Sequence, residues 1–159
     1  MKFNKEIDIK DKLISIESPT FVIAEAGVNH GGDMAVAKKL IDLAADAKAD
    51  AVKFQTFKTE NLILSDIQKA PYQKDTTNAS ESQYDMLKRL EVTREQNLEL
   101  KQYCIDKGII FLTTPFDEES LEELDELDLP AYKVASTDTT NLPFLKKIAK
   151  KGKPLFLST

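Results

Sequence analysis

The sequence predicts an α/β fold built around a parallel sheet, and three observations carry that expectation. Short apolar runs alternate with capped, helix-patterned segments. Hydroxyl residues recur at the ends of three of those runs, Thr114, Ser136 and Ser158, at a spacing of 22 residues. The chain opens on a stretch that alternates apolar and polar residues. Strict alternation of strand and helix requires crossover connections, which place neighbouring strands parallel.

In chain order, "EIDIKDKLISIES" alternates around a charged turn and reads as a short β-hairpin. "FVIAEAG" (21–27) is the first strand of the repeat, followed by a helix from an Asp33 cap to Lys48. Its expected buried face is Val36, Leu40, Ile41, Ala44 and Ala47. "AVKFQTF" (51–57) is the second strand. Thr93 to Gln96 has the form of a capping box, and its helix stops at Gly108. "IIFLTTPF" (109–116) is the third strand, and Asp117 caps a helix with Glu118 and Glu119 in its first turn. "AYKVAS" (131–136) is the fourth strand, Pro143 opens the next helix and Gly152 ends it. "PLFLST" (154–159) is the fifth. Residues 58–92 break the rhythm with an excursion far longer than an ordinary strand–helix loop. It reads equally as a binding loop or as a solvated insertion with one short helix near 81–90.

Five repeat strands after a hairpin suit the start of a parallel (β/α)8 barrel, which needs about 250 residues. Residues 1–159 then form its N-terminal part, a truncated barrel of about five strands plus the hairpin.

The totals narrow the chemistry. A net charge of −5, with no basic stripe, argues against a nucleic-acid partner. No apolar run approaches the roughly 20 residues of a membrane span, and the charged N-terminus lacks a signal-peptide core. The single cysteine fits a reducing cytoplasm. One histidine and one cysteine leave no zinc cluster and no Ser-His-Asp machinery, so carboxylates, lysines, hydroxyls and amides must do the work.

Side chains alternate along a strand, so Val52, Phe54 and Thr56 share one face of the second strand while Lys53 and Gln55 share the other. If helices cover the Val/Phe face, Lys53 points inward and must meet an anion, because an unpaired buried ammonium is costly. That anion is either a ligand or a protein carboxylate such as Glu25. Lys133 poses the same question in the fourth strand. Lys53, Lys133, Glu25 and the strand-end Thr114, Ser136 and Ser158 would converge on one rim, a set suited to a small, multiply charged anion such as a phosphorylated carboxylic acid. Asp138 belongs either to that rim or only to the turn before Pro143. His30 and Gly31-Gly32 read as the turn into the first helix, and a lone histidine is a poor metal site.

The blocks "FVIAEAGVNHGGDMAVAKKLIDLAADAKADAVKFQTFK", "ESQYDMLKRLE", "GIIFLTTPFD", "YKVAS" and "GKPLFLST", in this order, resemble the N-acetylneuraminate (sialic acid) synthase family, which includes the legionaminic and pseudaminic acid synthases. The resemblance implies a (β/α)8 barrel that condenses phosphoenolpyruvate with an N-acetylated amino sugar to a nonulosonic acid and phosphate. It implies Glu25 as the acid/base, with Lys53, Thr114, Lys133, Ser136 and Ser158 holding phosphoenolpyruvate and Gln55 touching the sugar. It also implies a divalent cation, Mn or Mg, a cytoplasmic location and a homodimer.

Two departures qualify it. "STD" places Asp138 where the sialic acid branch has a glutamate, which leaves room for a bulkier sugar such as a 2,4-diacetamido hexose in place of N-acetylmannosamine. The family's metal-binding histidines and its C-terminal antifreeze-like domain match nothing in these residues, so the chain alone is expected to be inactive. The competing readings are another phosphoenolpyruvate-dependent aldol-type synthase, and a non-catalytic half-barrel that binds anions or self-associates through its strand edges.

Overall fold

The computed structural model describes residues 4–64 and 82–159. β1 (Glu6–Ile9) and β2 (Lys12–Ser15) form the antiparallel hairpin, with Ile9 opposite Lys12 at its turn. β3 (Ile23–Gly27), β4 (Ala51–Thr56) and β5 (Ile110–Pro115) pair in that order as a parallel sheet. β6 (Tyr132–Val134) and β7 (Leu155–Leu157) form a second parallel pair. β6 packs beside β5, but no ladder joins them, so the five repeat strands are parallel within two sheets.

The helices start where local chemistry satisfies their first N–H groups. Asp33 accepts from Ala35 and Val36 to open α1 (Met34–Asp46). Among the described residues two short helices follow, α2 (Thr59–Leu62) and α3 (Gln83–Lys88), the second being the helix expected near 81–90. Residues 65–81 of the 58–92 excursion lie outside the described residues. The Thr93/Gln96 capping box opens α4 (Arg94–Lys107), and Gly108 closes it in the left-handed conformation. Asp117 caps α5 (Glu118–Asp125). Asn141, rather than Pro143 alone, starts α6 (Leu142–Lys150), its Oδ1 accepting from the Phe144 N–H.

One face of the strands packs under the helices through Ile41, Val52, Phe54, Leu100, Phe111 and Leu124. The other face meets the hairpin: Ala51, Ile110, Leu112 and Ala131 cluster with Ile9, and Ile14, Ile23 and Phe156 pack at the margin. The face expected for α1 needs correction. Ala37, Ile41 and Ala44 are buried, whereas Val36 and Ala47 are exposed. The helix ends before Ala47, and the small residues Ala37 and Ala44 join Ile41 in the core cluster, where tight packing suits alanine.

Candidate functional site

On the hairpin-side face each repeat strand turns from apolar to polar toward its C-terminal end. Ile23 is followed two residues later by Glu25, Ala51 by Lys53, Leu112 by Thr114, Ala131 by Lys133 and Phe156 by Ser158. Register sets the polar residues at two successive levels: Glu25 pairs with Lys53, and two residues further along β4 Gln55 pairs with Thr114. Lys53 therefore faces away from the helices, as its alternation with Phe54 requires.

Lys53 is buried, and its Nζ lies 2.5 Å from Glu25 Oε2. It also donates a long hydrogen bond to Thr114 Oγ1 at 3.5 Å. The protein-carboxylate partner left open by the sequence thus exists, but the Glu25 end of the pair is half exposed to solvent. An exposed carboxylate is a screened partner that an incoming anion can displace. The Lys133 Nζ donates to Ser158 Oγ at 2.6 Å and to the Val134 carbonyl at 2.8 Å, neither of which carries a charge. Burial first, and then the neighbouring Lys53 charge, push the Lys133 pKa below the usual lysine value, while Glu25 opposes them. The two ammonium groups and one carboxylate therefore act on one another across the rim, leaving an excess of positive charge.

Gly27 seats the Glu25 carboxylate. The β3–β4 register shifts between Glu25 and Gly27, and Gly27 has φ +53°. A Cβ there would lie 3.1 Å from Glu25 Oε1 and 3.6 Å from Gln55 Nε2, so the bare glycine lets both side chains lie against the strand end. Sequence reading passed over Gly27; its signal was a glycine closing the first strand run.

Ser136 and Asp138 are not drawn into this cluster. They occupy a single 3-10 turn (Ser136–Asp138) in which the Ser136 side chain is exposed. Asp138 accepts from Asn141 Nδ2 at 3.3 Å. Asp117 is a buried hub that sequence reading took only as a cap. Beyond the Ser120 N–H it accepts from the Ser120 hydroxyl, the Lys58 N–H and Asn61, tying the start of the excursion to the β5–α5 loop.

Among the described residues no three His, Cys, Asp or Glu side chains come together as a metal site. The donor set for the implied cation is thus not met there. Burial pushes the Cys104 thiol up to about 12, which leaves it unreactive. A surface cavity of about 410 Å³ lies at the opposite end of the strands, lined by Lys10, Lys12, Lys48 and Lys107. Lys48 and Lys107 flank the C-terminal ends of α1 and α4, where cations complement the helix dipoles, and Lys12 pairs with Asp50 at 3.0 Å.

The NeuB family profile matches residues 40–159. The chain belongs to the NeuB family. It is 52% identical over 140 residues to an N,N'-diacetyllegionaminic acid synthase of Campylobacter jejuni, covering 88% of this chain and 42% of that protein. It is 45% identical over 139 residues to the enzyme of the same name from Legionella pneumophila, covering 87% of this chain and 39% of that one. Among solved structures it resembles an N-acetylneuraminic acid (sialic acid) synthetase from Leptospira borgpetersenii in complex with citrate, at TM-score 0.82 and 36% identity. That match covers 96% of this chain and 48% of the other. This NeuB-family chain therefore spans about two fifths of the length of the curated relatives it matches. No helix among the described residues is long and apolar enough to cross a membrane.

Proposed function

We propose that this chain supplies the phosphoenolpyruvate-binding rim of a cytoplasmic, homodimeric sugar-acid synthase whose strands belong to a (β/α)8 barrel. The observation that carries the reading is the convergence of Lys53 and Lys133, from β4 and β6, with Glu25 and two hydroxyls at the C-terminal ends of parallel strands. That end is where barrel enzymes keep their active sites. Two ammonium groups with one screened carboxylate match a substrate bearing both a phosphate and a carboxylate.

In the proposed reaction the enol carbon of phosphoenolpyruvate attacks the aldehyde of an N-acetylated amino sugar. Water adds at the carbon that bears the phosphate ester, and phosphate leaves. Lys53, Thr114, Lys133 and Ser158 hold the phosphate and carboxylate, joined by Ser136 once its 3-10 turn moves inward. Glu25, released from Lys53 when the substrate anion takes its place, manages the proton of the attacking water. Gln55 and Asp138 contact the sugar, Asp138 after the 3-10 turn moves inward. The likeness to two N,N'-diacetyllegionaminic acid synthases supports a 2,4-diacetamido hexose over N-acetylmannosamine.

The test extends the chain to the length of its relatives and supplies phosphoenolpyruvate with each sugar, with Mn or Mg present. Phosphate release with the diacetamido sugar, at least about tenfold faster than with N-acetylmannosamine, is the expected result. A preference for N-acetylmannosamine overturns the sugar assignment, and no phosphate release with either sugar overturns the function. The 159-residue chain alone should release none.

A further inference from the structure

His30, the chain's only histidine, is 3% exposed on the loop between Glu25-bearing β3 and α1. Its Nδ1 accepts the Gly32 N–H at 3.0 Å, which places the proton of the neutral ring on Nε2. Among the described residues that buried Nε2 has no partner. Burial also lowers the pKa of the ring, which favours its neutral form. A turn that needed only an acceptor for Gly32 would be served by asparagine, without a ring nitrogen left bare at a cost in stability.

The ring has a second contact that a turn residue does not need. It packs on Phe54 with centroids 6.2 Å apart, and Phe54 is the residue paired with Gly27 after the register shift. Successive tight turns run from the strand end through the histidine: Asn29 N–H to Ala26 O, Gly31 N–H to Val28 O, and Asp33 N–H to His30 O. Gly32, at φ +86°, completes the loop where a Cβ would fall 2.3 Å from the Arg89 carbonyl, so backbone meets backbone there. The loop is thus wedged between β4 and the turn that follows α3.

We propose that His30 is a positioning residue for Glu25: through Phe54 and the Ala26–Gly32 turns it fixes the left-handed Gly27 on which the Glu25 carboxylate rests. This rests on the reading of Glu25 as the rim's acid/base group. His30 touches no substrate; it acts through the strand end.

The single histidine makes the test direct, because its imidazole nitrogens give the only such signals in an NMR spectrum of the 159-residue chain. Those signals are compared in the ligand-free protein, in the ligand-free Glu25→Gln variant and on titration with phosphoenolpyruvate. Both perturbations should move them, the second with the same midpoint as binding. In parallel, His30→Leu should weaken phosphoenolpyruvate binding about tenfold, while His30→Asn, which keeps the acceptor, should recover part of that loss. Unchanged imidazole signals in Glu25→Gln overturn the proposal even if phosphoenolpyruvate binds. Shifted signals in Glu25→Gln without any phosphoenolpyruvate binding uphold the positioning role and overturn the rim's proposed ligand instead. The Glu25→Gln arm also decides the matter should His30→Leu fail to fold.

Discussion

At their N-terminal ends the strands turn Ile23, Ala51, Ile110 and Ala131 toward the hairpin; at their C-terminal ends the same face carries Glu25, Lys53, Thr114 and Lys133. Backbone and face are shared, and the regions lie two residues, about 7 Å, apart in β3, β4 and β6 and four residues apart in β5. The difference lies in what covers each end. The hairpin inserts Ile9 among the lower residues, whereas among the described residues the upper ones meet one another, the Val134 carbonyl and the half-exposed Glu25 carboxylate. The lower end therefore holds stability, and the upper end holds charge that the fold itself does not neutralise.

Substitutions at the two ends should separate accordingly. The largest effect is expected for Ile110→Ala, which empties a buried site beside Ile9 and Ala51 and should cost about 2–5 kcal/mol in urea unfolding. The folded remainder should bind phosphoenolpyruvate as before; a loss of binding beyond about threefold would show that the ends are not separate. Gly27→Ala comes next, because it combines φ +53° with a Cβ 3.1 Å from Glu25 Oε1. It should cost about 1–2 kcal/mol by thermal melting and also disturb binding, because Gly27 seats the Glu25 carboxylate. Thr93→Ala, which removes a capping box remote from the rim, should cost about 1 kcal/mol and leave binding untouched.

The smallest effect is a pH dependence. The folded pKa of Lys133 lies below its unfolded value, so between the two the unfolded chain binds more protons and stability rises with pH. Subtracting the profile of Lys133→Met should isolate a positive slope just below pH 10.5, the ordinary lysine value. Phosphoenolpyruvate affinity should fall over the same window as the ammonium is lost. A flat difference profile would mean that Lys133 is not held in the dry, positive surroundings described.

The features legible in the sequence are those fixed by near neighbours along the chain. Asp33, Thr93 and Asp117 cap their helices and Gly108 ends one, because each needs only residues within a turn. The facing of Lys53 followed from two-residue alternation, and the parallel pairing from the alternation of elements. What depended on distant packing was less legible. The buried face of α1 lies on Ala37 within a core assembled from several elements, and β5 and β6 fall in separate sheets. The even spacing of hydroxyls grouped Ser136 with Thr114 and Ser158, yet Ser136 sits beyond the end of β6 in a turn that leaves it exposed. Asp138 likewise contacts Asn141 rather than the rim. The Glu25–Lys53 pair could be named as one of two partners for the lysine, but not chosen, since residues 28 apart in sequence meet only through the β3–β4 register.

Calorimetric titration of phosphoenolpyruvate into the 159-residue chain and its Lys53→Met and Lys133→Met variants tests the charge of the upper end most directly. One molecule should bind per chain, and each variant should bind at least about tenfold more weakly, with the folded state retained. Equal binding by all three proteins, or none by the unsubstituted chain, would contradict the assignment of the two lysines to the phosphate and carboxylate.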